Sequence, residues 1–132
     1  MQGHSLKSVL TGTAPTSWRD ALYYRYWMHL SHHHIPAHYG IRTDRYKLAF
    51  FYALPLDASL GKGNYEASTP GWELYDLKQD PNELNNVYGD PAYASVAAKL
   101  KKRLLELKQE YKDTDDVYPQ LMKLREAHWD SY

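Results

Sequence analysis

Apolar and polar positions alternate with a period of two through the first half of the chain. In the second half they recur at three- and four-residue steps, which predicts strands first and a helix afterwards. Residues 21–27 (ALYYRYW) are of types favoured in strands and place Leu22, Tyr24 and Tyr26 on one face, Tyr23, Arg25 and Trp27 on the other. Residues 38–43 and 46–52 read as two more strands joined tightly near Asp44. In the second of them Tyr46, Leu48, Phe50 and Tyr52 alternate with Lys47, Ala49 and Phe51. So short a connection implies an antiparallel hairpin. Residues 72–77 (WELYDL) read as the fourth strand.

The segments between are marked by their breakers. Residues 29–38 (HLSHHHIPAH) form a loop or an edge, because Pro36 has no N–H to give to a ladder. Residues 53–71 carry Pro55, Gly61, Gly63, Pro70 and Gly71 and read as a long loop; residues 78–90 are turn-rich. Asp90 is a good N-cap and Pro91 suits a first helical position. From there Tyr93, Val96, Ala97, Leu100, Leu104, Leu107 and Tyr111 form one apolar stripe, with Lys99, Lys101, Lys102, Glu106 and Lys108 assigned to the surface. This helix is expected to end near Lys112. A second short helix is expected over 119–130 and a single helical turn over 5–10. Strands followed by one packed helix, without βαβ alternation, give an α+β fold: a small four-stranded antiparallel sheet with one long C-terminal helix packed on one face. The chain divides into an irregular leading segment (1–20, punctuated by Gly3, Gly12 and Pro15), a folded domain (21–113) and a C-terminal tail (114–132).

Composition and charge remove several functions. The 132 residues suffice for one domain and not two. With 16 basic and 16 acidic residues the chain lacks the basic excess of a nucleic-acid binder. Cysteine is absent, so disulfides, thiolate metal sites and a cysteine nucleophile are excluded. No apolar run approaches the ~20 residues of a membrane helix, and the first fifteen residues are not expected to be a signal peptide. Thirteen Tyr and four Trp against two Phe point to a domain that packs against something or borders a polar pocket. Several of Trp18, Tyr23, Tyr24, Trp27, Tyr39 and Phe51 are therefore expected to cluster on a partly exposed face or in a self-association contact.

Candidate chemistry is sparse. Five of the seven histidines (His29, His32, His33, His34 and His38) fall in the 29–38 loop. A run of adjacent imidazoles is poor geometry for one ion, so the loop reads as solvated or interfacial and no metal is assigned. There is no G-x-S-x-G elbow and no glycine-rich phosphate loop. The acidic run Asp113–Asp116 reads as solvated. Arg42, Arg45 and Lys47 make a basic strip around the hairpin, suited to an anion or to local carboxylates such as Asp44 or Asp76.

Two strings carry a resemblance. HYGIRTDRYKL at 38–48 and WELYDLKQDPNELNNV at 72–87 are similar to the C-terminal end of the sulfatase family, the second without a gap at Leu74, Tyr75, Asp76, Leu77, Asp80, Pro81, Glu83 and Asn86. GHSLKSVLTGTAPTSWRDALYYRY, at the start, resembles the segment that leads out of the catalytic domain. The match runs from Gly3 to about Tyr111 and points to glycan sulfatases of the glucosamine-6-sulfatase and sulfamidase kind. The resemblance implies a small subdomain that packs on a large catalytic α/β domain and can close one side of the substrate pocket. It implies that the family's formylglycine nucleophile and calcium ligands belong to that other domain, so no catalytic residue, metal ligand or cofactor carries over to this chain. Family members are often periplasmic, secreted or lysosomal; nothing in this sequence fixes a compartment. Two functions of different class follow: part of a glycan sulfatase, or a separate binding module for sulfated or acidic glycan. In the first, His38 at a strand start and, second to it, Arg42 further along the same strand are the candidate substrate contacts. The polar residues of the 74–86 motif are expected to cap backbone groups.

Overall fold

The computed structural model describes residues 5–13, 18–56 and 68–131; Gly3, Pro15, Gly61 and Gly63 of the sequence reading lie outside these. Four strands, β1 (Ala21–Tyr26), β2 (His38–Thr43), β3 (Tyr46–Phe51) and β4 (Gly71–Asp76), form one antiparallel sheet in the order β1-β2-β3-β4. The order follows the chain because the β2–β3 turn is short. There the Thr43 hydroxyl donates to Tyr46 O at 3.2 Å and accepts from Tyr46 N at 2.9 Å. The register aligns Tyr24 with Gly40, Gly40 with Ala49 and Ala49 with Glu73. The two faces of the sheet are thus fixed by alternation alone.

Among the described residues three α-helices accompany the sheet: α1 (Lys7–Leu10), α2 (Ala94–Glu110) and α3 (Pro119–His128). Asp90 caps the 3-10 turn Pro91–Tyr93 that leads into α2, its carboxylate accepting from Ala92 N at 2.9 Å. The stripe expected from the sequence is the buried one. Ala97, Leu100, Leu104 and Leu107 pack with Tyr39, Ile41, Leu48, Phe50, Trp72 and Leu74 in one core. Each fully buried leucine contributes about 1.5–3 kcal/mol of transfer free energy, more than α2 could draw from helix propensity.

Two lysines of α2 correct the sequence reading, which put them on the surface. Lys101 and Lys108 are both buried. Each ammonium has found an aromatic wall and an oxygen. Lys101 Nζ lies 4.7 Å from the Trp72 ring and 5.4 Å from Trp129, and donates to the Trp129 carbonyl. Lys108 Nζ lies 3.7 Å from the Tyr39 ring centre and 2.8 Å from Asp115 Oδ1. Cation–π contact with a compensating acceptor makes such burial tolerable.

The acidic run after α2, expected to be solvated, is so only in part: Asp116 is exposed and Asp113 half-buried, while Asp115 is interior. Asp115 is 1% exposed and faces three cations: Lys108, Arg25 at 3.0 Å and Arg125 at 2.9 Å. It also accepts from the Tyr39 hydroxyl at 3.1 Å. Asp113 binds the other nitrogen of Arg25 at 2.6 Å and accepts from the Tyr23 hydroxyl. The tail is thereby tied to β1, β2 and α2. Further along, Trp129 closes the end of the core, edge-on to Trp72 with ring centres 4.9 Å apart and planes at 79°.

Candidate functional site

One face of the sheet is covered by α2; the other is the open face. Alternation places Leu22, Tyr24 and Tyr26 of β1, His38, Gly40 and Arg42 of β2, and Lys47, Ala49 and Phe51 of β3 on that open face. His38 is at its centre of aromatic contact. Its ring stacks on Tyr26 at 5.4 Å, meets Phe51 at 4.6 Å and takes an edge contact from Tyr24 at 5.9 Å. Tyr24 lies across Gly40: a Cβ at Gly40 would sit 2.6 Å from the Tyr24 oxygen and 2.5 Å from the Leu48 carbonyl. Only glycine admits this flat arrangement.

The chemistry of His38 follows from its neighbours. Nδ1 lies 2.9 Å from the Pro36 carbonyl, which can only accept, so Nδ1 carries the proton. Burial holds the ring below the ordinary imidazole pKa, so it is neutral near pH 7 and Nε2 is an acceptor. A neutral imidazole of this tautomer suits a hydroxyl donor such as a sugar OH, and not a sulfate oxygen.

Arg42 shares the face and not the place. It is four residues along β2 from His38, about 13 Å at strand rise. That is wider than one sugar ring, so the two side chains do not grip a single monosaccharide together. Arg42 has no carboxylate partner among the described residues. It lines an open cavity of about 320 Å³ with Trp18, Arg19, Thr43 and Asp44. Its two basic neighbours are already engaged. Arg45 binds Asp76 through Nε at 3.0 Å and a terminal nitrogen at 2.7 Å, which holds Asp76 below the usual carboxylate range. Lys47 pairs with Glu83.

The rest of the histidine loop does other work. His29 is buried and its Nδ1 accepts from Ala37 N at 3.2 Å, while His32, His33 and His34 are exposed. Among the described residues no group of three or more His, Asp or Glu is placed to hold a metal ion.

The 74–86 motif organises the free edge of β4. The Asn86 side chain accepts from Leu74 N at 2.9 Å and from Tyr88 N at 3.0 Å, and donates to Trp72 O at 3.0 Å. Val87 N adds a backbone bond to Leu74 O at 2.9 Å. The segment thus acts as a short mock strand that satisfies an edge otherwise open to foreign pairing. Asp80 accepts from Leu84 N and Asn85 N, and so holds the turn that delivers Asn86. Glu83 takes a positive φ of 55° within this turn. Tyr75 shares the open-face side of β4 with Glu73, to which its hydroxyl donates. Leu77 continues the pairing through its N–H to Arg45 O at 2.7 Å, and Pro81 stands exposed in the turn.

The aromatic face expected from the sequence is partly redistributed. Tyr39 is fully buried in the core, Tyr23 stacks on Tyr111 and Trp27 packs on Tyr118. Tyr24 and Phe51 remain on the open face, where Tyr26 joins them. Alternation along 21–27 had already put Tyr26 beside Tyr24; what singled it out was its contact with His38, which only the paired strands reveal.

Comparison with known proteins agrees with this architecture. Residues 1–110 match the sequence model of the N-sulphoglucosamine sulphohydrolase C-terminal family. The chain is 39% identical over 117 residues to an N-acetylglucosamine-6-O-sulfatase of Bacteroides thetaiotaomicron, covering 87% of this chain and 18% of that relative. Its fold superposes on BT4656 in complex with its substrate D-glucosamine-2-N,6-O-disulfate, with a TM-score of 0.69 and 40% identity, over 86% of this chain and 21% of that one. It also superposes on a phosphonate monoester hydrolase of Agrobacterium radiobacter, with a TM-score of 0.58 and 26% identity over 82% of this chain and 20% of the other. The chain therefore spans only a small part of the proteins it matches. Within that part fold, motif and sequence agree, and the chain belongs to the N-sulphoglucosamine sulphohydrolase C-terminal family, the C-terminal subdomain of sulfatases.

Proposed function

We propose that this chain serves as the C-terminal subdomain of a glycan sulfatase, packs on the catalytic domain and borders the substrate pocket, without catalysing by itself. The assembled enzyme would hydrolyse sulfuric esters of a glycan, with the nucleophile and any metal supplied by the catalytic part. The observation that carries the reading is the family match joined to identity with a glucosamine sulfatase over most of this chain. Within the site, His38 is the proposed pocket residue. It is held on a strand end, fixed by Pro36, and offers Nε2 to a sugar hydroxyl. Arg42 would contact an anionic group some 13 Å away, on a neighbouring sugar of the glycan.

A second reading is a separate module that binds sulfated or acidic glycan. The cavity at Arg42 favours it, because an arginine without a carboxylate partner among the described residues, beside Trp18 and Arg19, is a fit for a sulfated sugar.

The test joins this chain to the catalytic part of the Bacteroides relative in place of the matching segment. His38→Ala in that enzyme is expected to lower kcat/KM on a 6-sulfated glucosamine at least tenfold and to leave a small aryl sulfate nearly unchanged. Equal loss on both substrates, or a fall in Tm that accounts for the loss, would make His38 structural.

A further inference from the structure

Two histidines of the 29–38 loop hold their protons on opposite ring nitrogens. His38 carries its proton on Nδ1, because the Pro36 oxygen beside it can only accept. His29 is the reverse case. Its Nδ1 accepts from Ala37 N at 3.2 Å, and an amide nitrogen can only donate, so the His29 proton is on Nε2. The two contacts meet on one peptide group. The Pro36 carbonyl and the Ala37 N–H belong to the same planar unit, and across a trans peptide they point in opposite directions. His38 therefore holds the oxygen edge of this plane at 2.9 Å, and His29 holds its hydrogen edge. The plane cannot turn to release one imidazole without straining its bond to the other.

The surroundings of this clamp are fixed. His29 is 4% exposed, and its own N–H donates to Trp27 O at 2.9 Å. Leu30 N donates to Ile35 O at 2.9 Å, which closes the loop between the two histidines. Ala37 is fully buried, and its carbonyl accepts from Ala53 N at 3.1 Å. The loop tip differs, since His32, His33 and His34 are exposed. Burial alone would make His29 an ordinary core histidine. What sets it apart is where its acceptor falls: on the one peptide whose oxygen decides the tautomer of His38. Hydrogen bonds that share a peptide group also polarise one another, so the His29 contact strengthens the Pro36 carbonyl as an acceptor.

We propose that His29 is a positioning residue for sugar recognition: through the Pro36–Ala37 peptide it fixes the ring orientation and tautomer of His38, and so keeps His38 Nε2 an acceptor for a sugar hydroxyl. The proposal rests on the reading of His38 as a pocket residue and adds the group that sets its chemistry. In the other tautomer Nε2 would donate, and would suit an anionic oxygen instead. His29 thus defends the choice of a hydroxyl over an anion at that point of the pocket. It touches no substrate and acts only through the peptide it holds.

The test is nitrogen-15 NMR of this chain, because protonated and unprotonated ring nitrogens resonate far apart. The native chain is expected to show His38 protonated on Nδ1, His29 protonated on Nε2, and a scalar coupling across the hydrogen bond between Ala37 N and His29 Nδ1. His29→Leu removes the acceptor; His29→Asn returns an oxygen near the place of Nδ1. In the Leu variant His38 is expected to lose its single tautomer, with its Nε2 signal moving towards the protonated position, and exchange of the Ala37 amide is expected to speed up about tenfold. The Asn variant is expected to restore both. In the chimera with the Bacteroides catalytic part, His29→Leu is expected to lower kcat/KM on 6-sulfated glucosamine about fivefold and to leave a small aryl sulfate nearly unchanged, with recovery in His29→Asn. A folded Leu variant in which His38 keeps its tautomer would overturn the proposal and leave the reading of His38 standing. A lost tautomer with glucosamine turnover unchanged would overturn both. Equal loss on both substrates, in the Leu and Asn variants alike, would make His29 structural and overturn the proposal. If the Leu variant does not fold, the native chain decides: a missing coupling, or a His29 ring protonated on Nδ1, would overturn the proposal.

Discussion

A single carboxylate, Asp115, concentrates the electrostatic stakes of this domain. It is wholly buried and compensates Arg25, Lys108 and Arg125 together. Removing one member of a buried ionic group leaves the others uncompensated, at a cost of about 3–5 kcal/mol. Asp115→Asn keeps the shape and is expected to lose that much stability, read as a shifted midpoint in urea unfolding. Lys108 sets the pH dependence. Burial pushes its ammonium down to about 8, with the attraction of Asp115 only partly opposing. An unfolded lysine titrates at about 10.4, so between these values the unfolded chain binds more protons and stability rises with pH. Tyr23, Tyr39 and Tyr52 act in the other direction. Burial raises all three above the ordinary tyrosine value of about 10, so folding stability falls once unfolded tyrosines ionise. The expected profile has a maximum between about pH 9 and 10. Lys108→Met should shrink the rising limb, leaving the part due to Lys101, whose ammonium burial also depresses, and keep the falling one, as measured by unfolding at a series of pH values.

At the scale of elements, the C-terminal tail is the part whose importance exceeds its appearance. The family match ends at residue 110, yet Asp113, Asp115 and Trp129 lie beyond it and contact the sheet or α2, and Arg125 braces Asp115 and Trp129 from within the tail. Ending the chain after Lys112 would leave Arg25 and Lys108 buried without their carboxylates. That variant is expected to lose cooperative folding, seen as a broad thermal transition and fast amide exchange in β1 and β2. The sequence made the strands and α2 legible because burial there follows a simple period, and Leu100, Leu104 and Leu107 could be placed without knowing their neighbours. It could not reveal the tail. Asp115 becomes interior, and Asp113 half-buried, only because Arg25, 90 and 88 residues away in the chain, comes to meet them. Lys101 and Lys108 were misplaced for the same reason, since periodicity assigns a face by side-chain type and the aromatic rings that accept these ammonium groups lie on other elements. Of the candidate site, the shared face of His38 and Arg42 followed from alternation. The tautomer of His38 did not, as it depends on the Pro36 carbonyl folding back onto the ring.

At the scale of the whole molecule, the proposed role is that of a subdomain whose catalytic groups are supplied from elsewhere in the enzyme. Sulfate ester cleavage needs an activated nucleophile and stabilisation of the charge that develops on the leaving group. In the proposed assembly the nucleophile and any metal come from the catalytic part. Purified on its own, the chain is expected to leave 4-nitrocatechol sulfate and 6-sulfated glucosamine intact; turnover that survives repurification and responds to point mutation would refute this. The sheet and α2 would hold their shape regardless, since their contacts are made within the chain. The Trp72–Trp129 pair gives a way to watch that shape. Two indoles nearly perpendicular and 4.9 Å apart form a chirally coupled pair of chromophores, so their near-ultraviolet circular dichroism reports whether the end of the chain is in its seat. The far-ultraviolet signal reports the sheet and α2 separately, and the two wavelengths together turn an undocked tail into an optical event distinct from global unfolding.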